Sequence, residues 1–215
     1  MSLILYCHPL ASYCWKVLLA LYEAETAFEA QHVDLGQPAE RARLEALWPV
    51  AKFPVLRDTS RDQVVPESSI IIDYLACHYP GKVALLPSDP DAARETRLRD
   101  RFYDLYVHGP MQNIVGDRLR PTDRRDPHGV AQAHATLDLS YSMLERDPRT
   151  SDAATGSAFT LADCAAAPAL YYANKVHPFG EQHPRVTAYL NRLLARPSFT
   201  RVLAEAAPYF AQFPG

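Results

Sequence analysis

Lys52-Phe53-Pro54-Val55-Leu56 and, after a polar turn, Pro66-Glu67-Ser68-Ser69 form the stretch on which the fold turns. Val55-Leu56-Arg57 and Gln63-Val64-Val65 are short β-prone runs separated by Asp58 to Asp62, the pattern of a hairpin. Pro54 stands at the head of the first run, where it cannot donate to a ladder. Either the Phe53–Pro54 bond is cis and turns the Phe53 backbone toward a ligand, or a trans proline merely begins an edge strand. The residues alone leave both open. Pro66-Glu67-Ser68-Ser69 then opens a helix carrying Ile71, Tyr74, Leu75 and His78 on one side. A carboxylate and two hydroxyls thus sit at a helix mouth, where unpaired N–H groups favour anions. They form either an N-cap or a seat for an amino acid zwitterion, its carboxylate on Ser68 and its ammonium on Glu67.

Upstream, Leu3-Ile4-Leu5-Tyr6-Cys7 is a buried-strand run that stops at His8-Pro9. Cys14, Val17, Leu18 and Leu21 repeat with helical spacing, and Phe28 to Val33 alternates weakly as a second, parallel strand. Ala39 to Trp48 is an amphipathic helix ended by Pro49. The order β-α-β-α-β-β-α completes a small α/β unit by about residue 82. Leu86-Pro87-Ser88-Asp89-Pro90-Asp91 is a proline-rich connection. Beyond it every periodic stretch is helical: Asp91 to Leu119, Gly129 to Arg146, Thr160 to Val176, Arg185 to Ala195 and Ser198 to Ala207. Pro110 must kink or break the first of these. The expected division is therefore residues 1–82, a linker at 83–90, and a helical domain at 91–215.

Composition narrows the function classes. Hydrophobic residues make up 48% and charged residues 22% of 215 residues, enough for a substantial core. A net charge of -3, with dispersed arginines, offers no surface for nucleic acid. The longest apolar run, Cys164 to Ala173, is far short of the ~20 residues of a membrane span. The N-terminus has no basic segment of the signal-peptide kind, and the four cysteines form no CxxC pair and no zinc-like cluster. Reduced thiols, a cytoplasmic location and no metal are expected.

Two further motifs complete the pattern. Ala11-Ser12-Tyr13-Cys14-Trp15-Lys16-Val17 lies at the first strand-to-helix turn. Ser12 there either caps the helix or donates a hydrogen bond to a ligand thiolate, helped by the helix N-terminus. Phe159-Thr160-Leu161-Ala162-Asp163-Cys164 is close to a capping box, with Phe159 and Cys164 at the staple positions, and is a folding signal.

Taken together at these spacings, Lys52-Phe53-Pro54-Val55, Glu67-Ser68 and Thr160-Leu161-Ala162-Asp163 resemble the cytosolic glutathione transferase superfamily, bacterial type, over essentially the whole chain. The Trp15-Lys16-Val17 region is also similar to the zeta, theta and phi classes. The resemblance implies a thioredoxin-like α/β domain, an all-helical second domain and a homodimer. It implies a cis Pro54, with the Phe53 backbone pairing with the cysteinyl part of glutathione, Lys52 among the residues that bind it, and Glu67 and Ser68 at its γ-glutamyl end. It further implies that a residue near the first helix activates the thiol. Serine-type relatives carry the hydroxyl six places before Val17, which here is Ala11, so Ser12 takes the role one step later. Cys14, on the apolar helix face, and Tyr6, in the strand, are the other candidates.

The implied chemistry is attack of the glutathione thiolate on a small, hydrophobic electrophile. Tyr103, Tyr106, Val107 and Met111 either line the electrophile pocket or pack the helix, and Tyr209, Phe210 and Phe213 either cover that pocket or pack. Two alternatives stay in view: another glutathione-dependent reaction (isomerisation, dehalogenation, ether cleavage or peroxide reduction) and a non-catalytic scaffold.

Overall fold

The computed structural model describes residues 2–150 and 158–214; Met1 and Gly215, the outer ends of the two expected domains, lie outside them. Strand β1 (Leu3–Cys7) alternates buried and half-buried residues. Helix α1 (Ser12–Glu23) follows, and β2 (Glu29–His32) pairs parallel to β1, Ile4 opposite Glu29 and Cys7 opposite His32. Helix α2 (Pro38–Leu47) leads to β3 (Val55–Asp58), antiparallel to β1, and to β4 (Gln63–Pro66), antiparallel to β3. The sheet order is β2-β1-β3-β4, the mixed sheet of a thioredoxin-like domain. Helix α3 (Ser68–His78) covers it, burying Ser68, Ile71, Ile72 and Leu75; His78, expected on the same side, is exposed.

Asp58, fully buried at the end of β3, ties the hairpin to α3. Its carboxylate accepts from the Tyr74 hydroxyl at 2.8 Å, from Tyr79, and from Ser60 Oγ at 2.7 Å. Those donors, working against burial, hold it well below the usual carboxylate range.

From α4 (Pro90–Phe102) onward the described chain has no strand. Asp89 caps α4 by accepting from the Ala92 N–H at 2.8 Å. The break expected at Pro110 takes a definite form: a π-turn over Tyr103–His108 joins α4 to α5 (Gly109–Arg118). Pro110 has no N–H to give to the carbonyl four residues back, which belongs to Tyr106. The Ser140 hydroxyl supplies that missing donor at 2.8 Å. Helices α6 (Pro127–Arg146), α7 (Leu161–Val176), α8 (Pro184–Leu194) and α9 (Pro197–Ala206) complete the second domain. The Asp163 carboxylate closes the start of α7, accepting from the Thr160 N–H at 2.9 Å and the Tyr189 hydroxyl at 2.7 Å.

Helix α1 is the hinge pin of the assembly, packed on one side against α3 and on the other against α7 and α9. Trp15, fully buried, sits among Tyr171, Tyr172, Phe199 and Phe210 and donates its indole N–H to the Pro9 carbonyl at 2.5 Å. Phe210 packs on Trp15, Phe213 on Tyr172 and Tyr209 on His8, so the aromatic tail closes over α1. Tyr103, Val107 and Met111 are core residues with at most 2% exposure, and the packing reading holds for them. Tyr106 alone of that set is exposed.

Candidate active site

A cleft of about 700 Å³ opens between the β3 entry, the start of α3 and the α4–π-turn segment, a size that suits a small-molecule site. Lys52, Phe53, Pro54, Glu67 and Ser68 all line it, so the structure brings the expected glutathione-contacting residues together. The Phe53–Pro54 peptide bond is cis. Pro54 is buried, Phe53 half-buried and Lys52 exposed at the rim.

Glu67 has an unusual backbone, φ 70 and ψ 120, immediately before the first turn of α3. A non-glycine residue at positive φ costs on the order of 1–3 kcal/mol and persists only where its surroundings fix it. Its side chain is exposed and makes no capping bond to the helix, whereas Ser68 is buried at 6%. The first N–H groups of α3 have no partner inside the helix and add partial positive charge at this corner.

Next to this corner, at Ser69, lies a buried ionic cluster that the sequence reading missed. Lys16 is fully buried; its ammonium lies 2.5 Å from Asp100 and 2.7 Å from Asp104, and donates to Ser69 Oγ at 2.9 Å. The Ser69 hydroxyl donates to Asp100 at 2.8 Å. Arg101 reaches the same two carboxylates from the half-exposed side. Two cations and two carboxylates thus balance, and Ser69 binds α3 to both α1 and α4. Burial pushes the Asp104 carboxyl up despite Lys16 beside it. No motif marks this cluster; an isolated lysine inside the apolar face of α1 was the only signal.

The thiol-activating candidates distribute unexpectedly. Tyr6 lines a separate groove with Gln31, His32 and Leu47, between the β1–β2 side of the sheet and α2. Cys14 is fully buried and its thiol is raised by burial, which fits the core reading. Ser12, the first residue of α1, is 4% exposed, and its hydroxyl lies 2.5 Å from His108 Nε2 and accepts from Gln112 at 3.3 Å. It lines a separate small groove with Leu10, Met111, Val115 and Tyr172. His108, fully enclosed, is held neutral: burial and Lys16 push its imidazole down to about 3. The α1 side chain that does line the large cleft is Tyr13.

Among the described residues no group of His, Cys, Asp and Glu is placed to hold a metal, and no helix is long and apolar enough to cross a membrane.

Comparison with known proteins agrees with this geometry. A family model described as the N-terminal domain of glutathione S-transferase matches residues 5–83, and one for the C-terminal domain matches residues 126–192. Glutathione S-transferase GstB of Escherichia coli is 24% identical over 192 residues, covering 87% of this chain and 91% of the relative. A probable maleylacetoacetate isomerase of Caenorhabditis elegans is 26% identical over 200 residues, covering 91% and 90%. A glutathione transferase family member of Pseudomonas fluorescens Pf-5, solved with bound glutathione, superposes with a TM-score of 0.82 at 25% identity, covering 94% of this chain and 98% of that one. With both halves of the fold matched in order and the cis Phe53–Pro54 and Glu67-Ser68 corners built into one cleft, the chain belongs to the glutathione S-transferase family.

Proposed function

We propose that the cleft binds glutathione and presents its sulfur, as thiolate, to a small electrophile. The observation that carries this reading is the convergence of Phe53, cis-Pro54, Glu67 and Ser68 on one concave surface capped by a helix N-terminus. Residues 1–82 would hold glutathione, 83–90 connect, and 91–215 face the electrophile. In this arrangement the Phe53 backbone, with Lys52 at the rim, meets the cysteinyl part. Ser68 and the first N–H groups of α3 meet the γ-glutamyl carboxylate, and Glu67 meets its ammonium. The Glu67 φ of 70 supports the same assignment, because strain of this kind collects at functional corners.

Free thiols titrate near pH 8.5, and only the thiolate is a competent nucleophile. Conjugation then forms a carbon–sulfur bond as the leaving group departs with its electron pair and the thiol proton passes to solvent. A second reading, isomerisation, is supported by the resemblance to the probable maleylacetoacetate isomerase. There the thiolate adds to a double bond, rotation follows, and elimination returns glutathione unchanged. Net consumption of glutathione separates the two. A homodimer is part of the proposal, and sedimentation equilibrium tests it.

The test of the reading is titration of the protein with glutathione while ultraviolet absorbance reports bound thiolate across pH. Saturable binding with a thiol pKa at least one unit below that of free glutathione supports an enzyme. Binding without that shift supports a scaffold. Absence of binding overturns the assignment of the cleft.

A further inference from the structure

The first turn of α1 offers two hydroxyls, and the structure sends them to opposite places. Ser12 is enclosed. Its oxygen sits 2.5 Å from His108 Nε2, accepts from Gln112, and is walled by Leu10, Met111 and Tyr172. Ser12 is not among the residues that line the large cleft. Tyr13 is half-buried and stacks face to face on the same imidazole, ring centroids 3.8 Å apart and planes 17° from parallel. That stack holds the ring against the wall of the cleft lined by Phe53, Pro54, Glu67 and Ser68.

Resting on the glutathione reading of the cleft, we propose that Tyr13, not Ser12, is the hydroxyl that donates a hydrogen bond to the glutathione thiolate. Four observations carry it. Tyr13 is the one residue of α1 that lines the cleft. Its ring is fixed by the His108 stack, so little freedom is lost when a ligand binds. Its hydroxyl forms no hydrogen bond within the described protein, whereas the Ser12 hydroxyl is engaged twice. It also belongs to the first turn of α1, where the helix N-terminus favours a nearby anion. Burial, with Asp104 adding to it, pushes the phenol up to about 12, so it keeps its proton at neutral pH and acts only as a donor. No proton leaves Tyr13 in the reaction; the thiol gives its own to solvent, and the phenol O–H stabilises the sulfur that remains.

The experiment compares wild type, Tyr13→Phe and Ser12→Ala in the thiolate titration. S-methylglutathione, which fills the cleft but has no ionisable thiol, serves as the control for an intact site. Equal S-methylglutathione affinity in all three proteins is expected, because the tyrosine ring survives in phenylalanine. Tyr13→Phe should raise the bound thiol pKa by about one unit, roughly a tenfold smaller thiolate fraction below the pKa, and Ser12→Ala should leave it within a few tenths. An unchanged pKa in Tyr13→Phe, or the full rise in Ser12→Ala, overturns the proposal. So does a wild-type protein that binds S-methylglutathione yet leaves the glutathione pKa unshifted, while the cleft assignment stands. If wild type fails to bind S-methylglutathione, the cleft assignment itself falls and takes this proposal with it.

Discussion

Replacing Lys16 by methionine tests how much the buried ionic cluster beside Ser69 stabilises the fold. Methionine keeps the length and apolar stem of lysine and removes the charge. Lys16 is fully buried, so its loss leaves Asp100 and Asp104, at 2% and 6% side-chain exposure, sharing only the half-exposed Arg101. Removing one partner of a buried pair costs about 3–5 kcal/mol, because the other charge stays buried without compensation. For a chain of this size each kcal/mol lowers Tm by about 2–4 °C, so a fall on the order of 6–20 °C is expected. The sign with pH is also fixed. Asp104 is already raised above its unfolded value, and without Lys16 it rises further. A carboxyl raised in the folded state is destabilising above its folded pKa, and the penalty fades as pH falls toward its unfolded value. Loss of Lys16 also relaxes the downward pull on His108, which acts in the same direction. Thermal unfolding by circular dichroism at pH 8, 6.5 and 5, at one protein concentration, should show the gap between wild type and Lys16→Met narrowing on acidification. A Tm loss under about 2 °C at pH 8, or a gap that widens on acidification, would refute this account of the cluster.

His108→Gln should flatten the acid limb of the stability curve. An imidazole pushed down to about 3 keeps its full contribution above its unfolded pKa near 6.5 and loses it as pH falls from there toward 3. The ceiling slope for one proton is about 1.4 kcal/mol per pH unit, read from urea titrations between pH 6.5 and 4, and equal slopes in both proteins would contradict it. Glu67→Gly separates strain from binding. Glycine relieves the φ of 70, so Tm should hold or rise, while loss of the carboxylate weakens glutathione about tenfold or more by calorimetry. Unchanged affinity would remove Glu67 from the proposed site.

The fold was legible because its signals are local. The two β-prone runs around Asp58 to Asp62, the helical spacing of Cys14, Val17, Leu18 and Leu21, and the box at Thr160 and Asp163 all need only neighbours in sequence. Pro110 even told where the long helix would break, because a missing N–H is a property of one residue. How it would break was not legible. The carbonyl that Pro110 leaves open, that of Tyr106, is met by Ser140, thirty-four residues away in sequence. Lys16 was hidden for a similar reason, since its partners come from Ser69, Asp100 and Asp104 on other helices. Orientation at the start of α1 was the hardest part. Successive helical residues differ by about 100° around the axis, so a boundary uncertain by one residue exchanges the faces of Ser12 and Tyr13.

Those faces are set by a pairing between α1 and the π-turn. Ser12 and Lys16 are four residues apart on α1, and His108 and Asp104 four apart on the turn; Ser12 meets His108, and Lys16 meets Asp104. The two rungs run antiparallel, and each is buried. One stripe of α1 is therefore consumed in joining the two domains, and a hydroxyl on that stripe is part of the joint. The residue next along the chain, about 100° around the helix, is turned off the stripe and toward the cleft. Tyr13 occupies that place, and the imidazole that completes one rung is the surface on which its ring rests. The same contact that withdraws Ser12 from the cleft thus sets Tyr13 on its wall, so the proposed hydroxyl, two residues beyond the serine-type position at Ala11, comes with its own structural support.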